Sequence, residues 1–131
     1  MQQPTFCALY DARLNDRNGN CATTPLRFLS RYDERYSVAL SWCKVFGMMA
    51  PDTTSEEAIA RHEVIVKRAG LEAIAPPLLG VAFAVWRGTL KHQSYAVFLD
   101  GTYWGRSDTG LYKIPRRFVV QDYEVALCRP L

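Results

Sequence analysis

Ser94-Tyr95-Ala96-Val97-Phe98-Leu99-Asp100-Gly101-Thr102-Tyr103-Trp104-Gly105-Arg106 is the stretch that decides the fold. Two runs rich in aromatic and apolar residues flank Asp100-Gly101, and Asp-Gly in that setting is a strong signal for a two-residue hairpin turn. The stretch therefore reads as antiparallel strands over 94–99 and 102–106. Upstream, Gly80 to Trp86 has the same makeup and is closed by Gly88, so it supplies another strand. Downstream, Tyr112 to Pro115 reads as a short extended piece. Tyr123 to Cys128 reads as a closing strand with Tyr123, Val125 and Leu127 on one face.

The texture changes near residue 75. Ala75-Pro76-Pro77 ends a helical half, because proline lacks the amide donor and restrains the residue before it. Thr54-Ser55-Glu56-Glu57 is a capping box, and the helix it opens runs to Ala69 with Gly70 as its C-terminal cap. At roughly 100° per residue, Ala58, Ile59, His62, Ile65, Val66 and Ala69 share one arc, the stripe expected to face the core. Pro25 to Tyr32 and Ser37 to Met49 read as two earlier helices. Helices first and strands second predict an α+β domain, with N-terminal helices packed on a C-terminal antiparallel β-meander.

A chain of 131 residues with 49% apolar side chains is the size of one domain, so residues 1–131 are expected to fold as a unit. A core of that size needs neither metal nor disulfide staples. The net charge of +3 comes from scattered basic residues, which argues against a nucleic-acid partner. Arg116-Arg117 beside Phe118 reads as a solvated loop edge. Leu78 to Trp86 falls short of the roughly 20 apolar residues a membrane span needs and is interrupted by Gly80, so no membrane partner is expected. Met1-Gln2-Gln3-Pro4 opens no secretory signal.

Cysteines stand at 7, 21, 43 and 128 with no CxxC pair and no short Cys/His cluster, so neither a metal nor another cofactor is expected. Cys43 falls in an apolar helical segment and reads as core, and Cys7 and Cys128 fall in expected extended terminal segments. Cys21 follows the turn-forming run Asn18-Gly19-Asn20 and precedes a helix signal. A thiol at a helix N-terminus meets free amides and the positive end of the macrodipole, which lower its pKa and can bind an oxyanion. Pro25 leaves a second option open, with Thr24 as the cap and Cys21 in the loop before the helix. Of the two histidines, His62 lies in the apolar stripe and reads as a hydrogen-bonded core residue. His92 lies in the polar stretch Lys91-His92-Gln93 at the mouth of a strand, where a scaffold can aim it into a cleft. Around the Asp100-Gly101 turn, antiparallel partners have numbers summing to 201, so His92 faces Thr109 and lies diagonal to Ser107. Asp108 points to the opposite face unless a bulge shifts the register. Tyr95 and Trp104 share the face opposite His92 and are expected to pack into the core or against a neighbour.

Asn20-Cys21-Ala22, the strand Gly80-Val81-Ala82-Phe83-Ala84-Val85, the run His92 to Gly101 and Gly110-Leu111-Tyr112-Lys113-Ile114-Pro115 together resemble the papain-like NlpC/P60 cysteine peptidases and amidases. The likeness is to their small bacteriophage tail-associated branch and covers residues 18 to 127 in order. One departure is Val81 after Gly80, where the family usually carries Asp. The resemblance implies Cys21 as nucleophile, His92 as base and then acid, and a third polar residue, Ser107 or Asp108, orienting the imidazole. It implies a cysteine hydrolase cutting amides of peptidoglycan stem peptides, located in a virion tail or in the host cytoplasm before assembly. Two other readings stay open. One is a catalytically inactive structural subunit of a tail tip that binds neighbouring tail proteins, and the other is a secreted effector or toxin using the same Cys/His chemistry.

Overall fold

The computed structural model of the chain describes residues 4–47, 54–88 and 92–126. Helices come first: α1 (Phe6–Asn15), α2 (Thr23–Leu29), α3 (Glu34–Phe46) and α4 (Ser55–Ala69). Strands follow: β1 (Ala73–Ile74), β2 (Val81–Arg87), β3 (Gln93–Leu99), β4 (Thr102–Arg106), β5 (Leu111–Ile114) and β6 (Val119–Glu124), with a 3-10 turn at Arg116–Phe118 before the last. The chain is α+β, helices before strands.

Local chemistry explains most of the boundaries. Thr54 caps α4 by accepting from the Glu57 amide at 3.1 Å, and Gly70 ends it at φ 68°, a left-handed conformation that glycine adopts without strain. The buried residues of α4 are Ala58, His62, Ile65 and Ala69. Ile59 and Val66 flank that stripe half-buried while Lys67 and Arg68 are exposed, so the phase read from the sequence holds with its centre slightly turned. Asp33 caps α3 through the Arg35 amide at 3.1 Å, which starts that helix at Glu34 rather than Ser37. It closes at Gly47, and Met48 and Met49 lie outside the described residues.

Helix α1 is the main departure in the front half. Cys7, expected in an extended segment, is an exposed helical residue. Thr5 caps this helix by accepting from the Ala8 amide at 3.1 Å. Its periodicity is hidden because Phe6, Tyr10 and Leu14 stay exposed while Leu9 and Ala12 are buried, which leaves apolar residues on both sides.

The sheet is antiparallel in the order β1-β6-β2-β3-β4-β5. The meander is real from β2 to β5. The Asp100-Gly101 register holds, with Val97 opposite Trp104 and Leu99 opposite Thr102. The closing strand differs: it lies four residues earlier than expected and pairs with β2 rather than β5, Phe83 facing Tyr123. Pro115 and the 3-10 turn carry the chain off β5, so β6 can set Tyr123 among the residues under the helices. Val125 follows β6 rather than lying in it, and Leu127 and Cys128 fall outside the described residues.

All seven residues of β3 are buried, since each face of the sheet carries an apolar cluster. The helix-facing layer joins Leu9, Phe28, Leu29, Tyr36, Ile65, Phe83, Tyr95 and Val97. The opposite layer is thinner, built on Ala82, Ala84, Ala96, Phe98, Tyr103 and Ile114. Tyr95 and Trp104 share the helix-facing side. Tyr95 is inside, and Trp104 lies half-buried against Phe6 with ring centroids 4.7 Å apart.

Candidate functional site

The turn between α1 and α2 is built by Asn20. Its side-chain oxygen accepts from the amides of Ala22 and Thr23, both at 2.9 Å, and the Thr23 hydroxyl accepts from the Asn20 amide at 2.7 Å. The Thr24 amide donates to the Asn20 carbonyl at 3.2 Å, so helical bonding begins at Asn20. Pro25 has no amide to continue it, and the regular helix starts at Thr23. Cys21 thus lies in a turn before α2, close to the option in which Pro25 pushes it out of the helix. The amides just beyond it are already occupied.

Under this turn lies a buried ion-pair network. The Asp16 carboxylate meets Arg106 Nη1 at 3.3 Å and Arg27 Nε at 3.1 Å, and accepts from the Thr24 hydroxyl at 2.6 Å. Arg106 also donates to the Asp16 carbonyl and the Thr24 hydroxyl, each at 2.9 Å. Gly19 passes so close that a side chain there would overlap the Asp16 carboxylate and the Arg106 guanidinium. Asp16 and Arg106 were not singled out from the sequence. A signal exists for Arg106, because period-two counting puts it on the inward face with Trp104, and a buried arginine requires an acid.

Cys21, Arg106, Ser107, Asp108 and Tyr112, with Gly19 and Asn20, line one shallow depression of about 410 Å³. Three of the four expected site residues therefore come together. The fourth does not line it: His92 stands exposed just before β3. Pairing between β3 and β4 ends at Val97 and Trp104, so the expected pairing of His92 with Thr109 does not form. Ser107 and Asp108 fall in the β4–β5 turn. The Ser107 hydroxyl accepts from the Gly110 amide at 3.1 Å, and the Ser107 carbonyl accepts from Arg13 Nε at 2.9 Å. Ser107 shapes the turn. The Asp108 backbone is tied to Arg13, and its side chain is exposed.

The electrostatics oppose an activated thiol. Burial pushes the Cys21 thiol above its ordinary value, only partly offset by a hydrogen bond with Ser94 and the Arg106 charge. The single hydrogen of the Ser94 hydroxyl is shared between the thiol and the Cys21 carbonyl, 3.5 Å away. Cys43 is buried and pushed up to about 11. The other imidazole is taken up elsewhere: His62 is buried between the hydroxyls of Tyr95 and Tyr123, at 2.9 and 2.8 Å, as its reading as a core histidine requires. Among the described residues no group of three or more His, Cys, Asp or Glu side chains is placed to hold a metal. None of the described helices is long and apolar enough to cross a membrane.

Comparison with known proteins adds no relative: no protein family, curated protein or solved structure matches the chain.

Proposed function

We propose that this chain is a structural subunit of a bacteriophage tail tip that binds neighbouring tail proteins, a papain-like domain in which the Cys21 depression does no hydrolysis. The observation that carries this reading is the set of groups around Cys21. Burial keeps its thiol protonated despite the opposing pull of the Ser94 hydroxyl. The amides of Ala22 and Thr23 are bound to Asn20, and His92 is absent from the depression. A nucleophilic thiol needs a base to take its proton and free donors for the oxyanion, and a serine hydroxyl is no base at neutral pH. The assignment to a tail tip draws on the resemblance spanning residues 18 to 127.

The hydrolase reading is favoured by one observation, the shared depression of Cys21, Ser107 and Asp108. Incubation of the full chain with purified muropeptides separates the two. The assembly reading predicts no new amine termini over hours at a tenth molar equivalent of protein. Turnover that disappears in Cys21→Ser and slows in His92→Ala would establish the hydrolase, or an effector with the same chemistry, in its place.

A further inference from the structure

Strand β5 is an edge of the sheet: β4 covers one side, and no described strand covers the other. Alternate residues of such a strand direct their amides and carbonyls outward, a ready template for another strand. Most natural edges avoid flanking apolar surface, yet this one has it on both faces. On the face away from the helices is a groove of about 560 Å³ lined by Phe98, Tyr103, Ile114, Pro77 and Leu78. Leu78 and Leu79, at 89% and 80% exposure, are the most exposed large apolar residues among the described ones. On the helix side, partly exposed Phe6 packs on Trp104, whose position opposite Lys113 places it next to β5, and Tyr10 lies beside Phe6. The exposed charge at this end of β5 is basic, although Arg116 also lies 4.0 Å from the buried Asp122 carboxylate. Lys113, Arg116 and Arg117 are all exposed at the end of β5, and the Arg116 guanidinium is held over the Tyr103 ring, 5.9 Å from its centroid.

We propose that the open edge of β5 docks an extended segment of a partner protein, which adds as a further strand. Its alternate apolar side chains cover the two patches, and its acidic side chains meet Lys113, Arg116 and Arg117. This deepens the assembly reading above and rests on it. A second copy of the chain is the poorer occupant, because its own edge adds three more cations, with exposed Asp108 at the other end of β5 to meet them only in part. Three cations around an apolar groove also fit a strand better than a nucleic-acid backbone, which requires a broader basic surface.

Selection of random twelve-residue peptides on the full chain tests the proposal. Enriched peptides should alternate apolar with acidic residues. Their affinity should fall by about tenfold or more both in Lys113→Glu, which removes the central charge, and in Leu78→Asp, which spoils the apolar groove. Both side chains are exposed, so circular dichroism of each variant should match wild type. Four results would each overturn the site: no enrichment, peptides indifferent to both substitutions, a dimer in sedimentation that Leu78→Asp disperses, or binding to phosphatidylserine vesicles lost in Lys113→Glu. Muropeptide turnover measured on the same samples keeps the two readings apart. A failed edge without turnover removes only this site, whereas turnover removes the assembly reading itself.

Discussion

Replacing His62 with glutamine should flatten the acid side of the stability profile. His62 is 7% exposed, with Nδ1 at 2.9 Å from the Tyr95 hydroxyl and Nε2 at 2.8 Å from that of Tyr123. A neutral imidazole donates to one tyrosine and accepts from the other, whereas the imidazolium only donates and leaves one phenolic hydrogen without its acceptor. Burial, assisted by the Arg87 charge, lowers the pKa from 6.5 to about 4. Because the folded value lies below the unfolded one, the unfolded chain binds the proton first as pH falls. The contribution is complete above 6.5 and is lost progressively down to about 4. At about 1.4 kcal/mol per pH unit the full loss comes to ~3 kcal/mol. Asp122, raised by burial, gains its proton in the folded state first and works in the opposite direction, so the difference between wild type and His62→Gln is the quantity to compare. Between pH 7.5 and pH 4.5, urea unfolding should show wild type losing more stability than His62→Gln, by about 2 kcal/mol or more. Parallel profiles for the two proteins would refute the argument.

Breaking the Asp16–Arg106 pair on one side only should be severe: Arg106→Leu should cost about 3 kcal/mol or more in urea unfolding. Adding Asp16→Asn should restore part of this in a double-mutant cycle, whereas strict additivity would show that the network is not coupled. Asn20→Ala removes the oxygen that serves two amides and should lower stability by about 1 kcal/mol, read as a lower melting temperature. In a Cys128→Ser background, iodoacetamide should modify exposed Cys7 before Cys21, and buried Cys43 last. Alkylation of Cys21 ahead of Cys7 would contradict the description of its surroundings.

The parts of the fold legible in the sequence are those fixed by local chemistry. Asp100-Gly101 sets a register that follows from turn geometry alone, and Thr54, Glu57 and Gly70 mark both ends of α4 through hydrogen bonds made within a few residues. The closing strand was not legible to the same degree. Its place beside β2 depends on which distant surface Tyr123 buries, and nothing within Val119–Glu124 encodes that choice. Helix α1 stayed hidden for a different reason, since its exposed Phe6 and Tyr10 blur the stripe that Leu9 and Ala12 would draw. At the candidate site, the turn residues Asn18 to Asn20 located Cys21, whereas hairpin counting set Ser107 beside His92, and it lies with Cys21 instead. That counting failed for His92 because it assumes pairing up to the strand's mouth, and the β3–β4 ladder stops at Val97. Ser94 escaped notice because a hydroxyl within a strand carries no pattern of its own.

The ionisation of Cys21 tests the central claim most directly. Its Cβ chemical shift, followed through a pH titration of the full chain, reports thiol and thiolate at that one residue. A non-catalytic Cys21, whose burial outweighs the hydrogen bond from Ser94, should titrate above its ordinary 9.0 and be unmoved by His92→Ala. A thiolate already formed below about pH 7, with a midpoint that rises when His92 is removed, would contradict the account and restore the Cys21–His92 pair as a catalytic unit.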